Sequence, residues 1–186
     1  MIEFIKSNLD SIIGGVASSL VFLIALSRLK PKIRISDKIS VENIQGERHY
    51  VIKVINKSLF FKVYDMKVRV YSIINVPSEN NTDFHCDDIE LRKDYIWFLN
   101  RLNWRHIFQN IIHGTKRLKK RTDYAAQFLT KENLNDLVGT NKSIRFEVLA
   151  KHSLSGFSVV KTYTFRHKND LVNGSFLSGN TSTIKE

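Results

Sequence analysis

The sequence predicts a mainly β protein: an antiparallel Ig-like β-sandwich or small barrel, with an N-terminal transmembrane helix and one or two short helices. Three observations predict it. Short segments alternate apolar and polar residues between turn residues, as antiparallel strands with one buried face do. One uncharged apolar run near the N-terminus has about the length of a membrane crossing. The 186 residues suffice for one domain plus an appendage, and at 42% hydrophobic and 25% charged most of them can bury a core. The single cysteine, Cys86, excludes an internal disulfide framework and a Cys-rich zinc site.

The apolar run is Ser11–Ser27, SIIGGVASSLVFLIALS, bounded by Asp10 and Arg28. Its 17 residues span about 26 Å as a helix, the short end for a hydrocarbon core. We expect residues 1–29 to form a single transmembrane helix. A cleaved signal peptide competes, because Ala25-Leu26-Ser27 has the small-x-small form of a cleavage site. The charge pattern of Met1–Asp10, two acids and one lysine, opposes it. A buried helix of a soluble domain is the third reading. Arg28, Lys30, Lys32 and Arg34 follow the run, so the positive side predicts an outside N-terminus and a cytoplasmic C-terminus. Gly15 and Ser19, and one position earlier Gly14 and Ser18, recur at a spacing that lets two helix backbones approach. They are the expected packing face of a homo-oligomer, although Gly and Ser are also common in membrane helices generally.

Residues 30–170 carry the expected sandwich. Lys32–Val41 reads as a strand broken at Asp37, and Gln45-Gly46-Glu47 as a turn. Arg48–Asn56 is strongly β, with Tyr50, Ile52 and Val54 on one face and His49, Val51, Lys53 and Ile55 on the other. Phe60–Ile74 follows as one long strand or two, with Met66, Val68 and Val70 inward. Asn75–Asp88 reads as a polar loop and Ile89–Asn100 as a strand or a helix start. Thr130–Gly139 reads as a short helix capped by Thr130. Ser143–Lys151 and Ser158–Arg166 form a hairpin around the turn Ser153–Gly156, with Ile144, Phe146, Val148 and Ala150 inward. From residue 171 to 186 apolar residues are sparse, which predicts a flexible tail.

Asp94–Arg121 carries Trp97 and Trp104. From Phe98 its apolar residues fall at helical spacing, opposite Arg101 and Arg105, and it ends in Lys116, Arg117, Lys119, Lys120 and Arg121. A basic, Trp-containing amphipathic helix suits a membrane interface, the tryptophans at head-group depth and the cations on anionic lipid. A helix packed on the sandwich and followed by a solvated charged loop is the plainer reading, and nucleic-acid contact a third. Residues 1–27 have a net charge of −1, so the remainder carries the total of +11 minus −1, or +12. That favours an anionic partner, membrane lipid, a nucleotide or nucleic acid, and its sign does not choose among them; the expected partners are membrane lipid, a nucleotide or a protein, with nucleic acid the least expected.

No nucleophile, P-loop, zincin or dinucleotide motif is present, so neither a catalytic residue nor a cofactor is expected. His85-Cys86-Asp87-Asp88 clusters four metal-ligating types, but adjacent residues rarely converge on one ion, and no metal site is assigned. The segments YVIKVINKSLFFKVYDMKVRVY and IRFEVLAKHSLSGFSVVKTYTF resemble strand pairs of uncharacterised bacterial proteins that join one N-terminal membrane helix to a cytoplasmic β-sandwich. More faintly, and in architecture only, the chain resembles membrane-anchored β-barrel effectors of cyclic-nucleotide antiphage systems, which typically carry two membrane helices. The resemblance implies a non-enzymatic module in the bacterial inner membrane that binds or senses a cytoplasmic partner. The alternative is an antiviral effector whose β-domain binds a nucleotide and drives the membrane helices to assemble and disrupt the bilayer.

Overall fold

The computed structural model describes residues 2–77, 82–102 and 124–185, with side chains described from Ser11 onward except at Pro77 and Thr82. One helix, α1 (Ile2–Ser27), precedes a mainly β region. The strands are β1 (Ile33–Ile35), β2 (Ile39–Ile44), β3 (Glu47–Asn56), β4 (Val63–Pro77), β5 (Thr82–Asp88), β6 (Tyr95–Leu99), β7 (Ala125–Thr130), β8 (Lys142–His152), β9 (Ser158–Phe165), β10 (Leu171–Asn173), β11 (Ser175–Phe176) and β12 (Ile184–Lys185).

Two five-stranded sheets carry the core. In the first, β3 is central: β7 pairs along one edge, and β2 then β1 share the other. In the second, β4 is flanked by β8 on one side and by β5 and β6 in succession on the other, with β9 outside β8. Among the described residues no strand pairs across the two sheets, so they face each other as a sandwich and do not close. All pairings within them are antiparallel except β10 against β2. The core joins Ile33, Ile35, Tyr50, Ile52, Val54 and Phe128 of one sheet to Val68, Val70, Ile144, Phe146, Val148 and Phe165 of the other. Burying such side chains at about 25 cal/mol per Å² of apolar surface is the main force holding the layers together.

Local chemistry explains several elements. Ile44 pairs with Glu47, so Gln45 and Gly46 form a two-residue hairpin loop, with φ of 56° and 85°. Two successive left-handed residues match the twist of the flanking strands. In β4, Asp65 also takes a left-handed φ of 47°, at a register shift between Tyr64 and Lys67. The shift lets both Val63 and Met66, three positions apart, reach the core.

The structure corrects four readings. The segment expected as a polar loop pairs as the end of β4 with β5, from Tyr71↔Asp88 to Pro77↔Thr82. β5 is exposed from Asp83 to Asp88, so no buried face imposed a period on it. β7 was not recognised as a strand, because AAQFLT is short and alternates weakly. The expected helix after it is one 3₁₀ turn, Leu134–Leu137, capped by Asn133 through the Asn135 amide, while Thr130 ends β7 and accepts from the Glu132 amide. The expected flexible tail is paired: Leu171–Asn173 adds to β2, and Ser175 and Phe176 pair with Lys185 and Ile184.

That tail explains why β3 is buried on both faces. Val51, Lys53 and Ile55 point away from the core yet are at most 2% exposed. The Lys53 ammonium donates to the carbonyls of Leu177 (2.6 Å) and Thr181 (2.9 Å) and lies 5.8 Å from the Phe176 ring. Lys57 donates to the Asn180 carbonyl, and Arg34 to the Ser182 hydroxyl. The C-terminal segment is therefore strapped across the outer face of the first sheet. A second small cluster, Ile55, Leu102 and Tyr124 with Leu59 and Ala125, covers the end of the same face.

Candidate functional site

The helix surface is the first part of the site. Between Ser11 and Ser27 only Leu26 is partly covered; Ile12, Val16, Leu20, Val21, Phe22 and Ile24 are all more than half exposed. These positions lie all round the helix, so it has no polar face to turn toward water. Among the described residues, no helix is long and apolar enough to cross a membrane, so the expected transmembrane helix is not established by them. Ser18 and Ser19 donate their hydroxyls to the Gly14 and Gly15 carbonyls, at 2.8 Å each. Back-bonding of this kind satisfies the hydroxyl within the helix and fits it to an apolar solvent. No side chain stands within 4 Å of a Cβ built on Gly14 or Gly15. A shallow groove runs along Ile12, Gly15, Val16, Ser19, Leu20 and Leu23, the face that holds Gly15 and Ser19.

The second part is the pole of the sandwich where α1 joins it. Just past α1, the Leu29 carbonyl accepts the Ser155 hydroxyl at 2.7 Å. Lys32 accepts from the Lys57 amide at 2.7 Å, and Ile33 from the Lys161 ammonium at 2.7 Å. Asn56, fully buried, ties the pole together. Its Nδ2 donates to the carbonyls of Phe61 (3.1 Å) and Asn100 (3.0 Å), its Oδ1 accepts the Ser58 amide, and its backbone amide donates to Tyr124. His152, also buried, accepts the Leu154 and Ser155 amides at Nδ1, and its ring centroid lies 4.6 Å from that of Phe61. Burial holds this imidazole below its ordinary pKa, in the neutral form that an accepting Nδ1 needs.

The pole therefore brings together the linker 28–32, the loop 57–62 and the turn 153–157. Three large apolar side chains stand out of it: Phe60 (67% exposed), Leu154 (61%) and Phe157 (45%). Arg28, Lys30, Lys32 and Lys62 are exposed on these segments, the Lys62 ammonium 5.6 Å from the Phe98 ring centre; none of the three segments contains Asp or Glu, and the neighbouring Asp65 is paired with Lys151. Sequence reasoning missed this patch. Its signal was there in the turn segments SLFF and SLSGF, since turns ordinarily carry polar residues.

The predicted anionic-contact residues separate. Trp97 lies on β6 and is 65% exposed, and Arg101 is exposed just beyond it. Phe98 belongs to the same strand, so the amphipathic helix does not begin there. Trp104, Arg105, Lys116, Arg117, Lys119, Lys120 and Arg121 lie outside the described residues. The chain leaves the described structure at Leu102, whose amide donates to Ser58, and returns at Tyr124, both at the pole. His85, Cys86, Asp87 and Asp88 alternate along β5, which separates His85 and Asp87, paired at 3.1 Å, from Cys86 and Asp88.

Lys53 is the most perturbed cation. Burial, and then the charge of Lys57, lowers its pKa to about 8. Lys57 is lowered in turn by burial and by Arg34. Among the described residues Lys53 meets two carbonyls and the Phe176 ring, whereas Lys38, Lys131 and Lys151 pair with the carboxylates of Asp170, Glu47 and Asp65.

No protein-family model matches the chain, and no curated protein sequence matches it. Among solved structures it is similar to the periplasmic chaperone SfaE, with a TM-score of 0.37 and 10% identity over 76% of this chain and 56% of that one. It is similar also to Spo0M, a sporulation control protein from Bacillus subtilis, with a TM-score of 0.37 and 7% identity over 74% of this chain and 49% of that one. The chain spans about half the length of each, and no residue role transfers at this similarity. The described residues form a mainly β protein, rich in antiparallel sheet, with one α-helix among them.

Proposed function

We propose that the chain is a membrane-tethered, non-enzymatic binding module of the bacterial inner membrane. α1 sits in lipid with its N-terminus outside, and the sandwich binds or senses a partner on the cytoplasmic side. The observation that carries this reading is the uncovered apolar helix on a basic sandwich. Each large side chain removed from water gains about 1.5–3 kcal/mol, and lipid tails supply that cover. Arg28, Lys30, Lys32 and Arg34 then fall where positive flanks are retained. The net charge of the remainder suits an anionic partner, a nucleotide or an acidic protein surface.

The full-length product is expected in the membrane fraction, resistant to alkaline carbonate extraction, with an intact N-terminus. Recovery in the soluble fraction, or a mature form that starts after Ser27, overturns the tether.

The groove through Gly15 and Ser19 is the proposed self-association seam, since small residues there admit a second backbone and the flanking Ile12, Val16, Leu20 and Leu23 interdigitate. Gly15→Leu with Ser19→Leu should reduce crosslinked dimers in membranes several-fold, while Gly14→Leu with Ser18→Leu reduces them less. Equal crosslinking in all three chains would refute the seam.

A further inference from the structure

We propose that the pole bearing Phe60, Leu154 and Phe157 is a second membrane contact: it docks on the anionic face of the bilayer and holds the sandwich against the lipid. The inference rests on the reading of α1 as the tether, and adds to it a surface and a partner.

Four observations converge. The three side chains sit on two loops that behave as one body, because the Ser153 amide donates to Lys62 (3.3 Å) and Phe61 packs on His152. That body is fixed to the end of α1 through the Ser155–Leu29 and Lys57–Lys32 hydrogen bonds. With α1 in lipid, Leu29 lies at head-group depth, and the turn bonded to it lies within the shallow zone that interfacial side chains occupy. Arg28, Lys30, Lys32 and Lys62 are exposed on the segments that carry or adjoin the apolar tips, and these segments contain no acid, the sign that an anionic leaflet attracts. Apolar tips on basic segments match a surface that is charged outside and oily beneath. A protein partner would find the same patch level with the head groups, its approach blocked by lipid.

The test uses the full chain reconstituted in phosphatidylcholine vesicles, with or without one-third phosphatidylglycerol, and carrying lipids with a quencher at a shallow acyl position. A bimane label is placed singly at Leu154→Cys, Phe22→Cys or Phe84→Cys in a Cys86→Ser background. Phe84 is the control: it is 71% exposed and sits opposite Asn75, about 40 Å along β4 from the pole. We expect the Leu154 label to be quenched several-fold more than the Phe84 label, and more strongly with phosphatidylglycerol. Phe60→Ser with Phe157→Ser should bring it down to the Phe84 level while the Phe22 label stays quenched. These side chains are exposed, so the thermal melt of that variant should be unchanged.

A quenched Phe22 label beside a Leu154 label no different from Phe84 overturns the docking and leaves the tether standing. If neither Phe22 nor Leu154 is quenched, tether and docking both fail. A Leu154 label shielded from aqueous iodide yet untouched by the lipid quencher means that protein covers the patch, and overturns the lipid assignment.

Discussion

Phe146→Ala should destabilise the sandwich by about 3–5 kcal/mol, the cost of an aromatic-sized cavity in a core that cannot collapse around it. Phe146 is fully buried on β8, between Val70 of β4 and Tyr163 of β9. Its ring meets that of Phe128 edge-on across the two sheets, centroids 5.9 Å apart. Both neighbouring strands are paired along their length, so the backbone has little freedom to close the gap. The measurement is urea unfolding of the full-length chain in mild detergent, with Phe84→Ala as a reference expected within about 0.5 kcal/mol of the parent. Similar losses for the two variants would mean that the sheets do not meet over Phe146.

The second large effect is a dependence on pH. Lys53 has a folded-state pKa of about 8, against an ordinary value of 10.5. Below pH 8 the folded and unfolded chains both hold the proton, and the folded state bears the whole cost of a buried ammonium. Between pH 8 and 10.5 the unfolded chain is protonated where the folded chain is not, so stability rises with pH through this window. The rise should be on the order of 2 kcal/mol, allowing for solvent screening. Lys53→Met removes it. The quantity to compare is the change in unfolding free energy from below pH 8 to near pH 10.5 in the two chains. Absolute stabilities differ for another reason, since the variant also leaves the Leu177 and Thr181 carbonyls without their donor. Parallel profiles would show that Lys53 titrates as a solvated lysine and that the strap does not cover it.

Strands with one wet and one dry face were legible from residue order. The inward residues Met66, Val68 and Val70, and Ile144, Phe146, Val148 and Ala150, follow from alternation and are buried. The hairpins at Gln45-Gly46 and Ser153–Gly156 were marked by their turn residues. Where both faces of a strand meet the same medium, alternation cannot report burial: it hid β5 altogether, and in β3, legible as a strand, it left the burial of the outer face unannounced. β5 is wet on both faces and passed for a loop. β3 is dry on both faces, and only the strap of residues 174–185 accounts for the burial of Lys53.

For the site, the sequence determined the apolar run Ser11–Ser27, the small residues Gly14, Gly15, Ser18 and Ser19 within it, and the basic flank that follows. These are properties of contiguous residues, and contiguity is what a sequence records. Tertiary structure alone decided that Phe60, Leu154 and Phe157, nearly a hundred positions apart at the widest, share one pole with the end of α1. It could do so because hydrogen bonds from Asn56, Lys57 and Ser155 close loops that residue order leaves far apart.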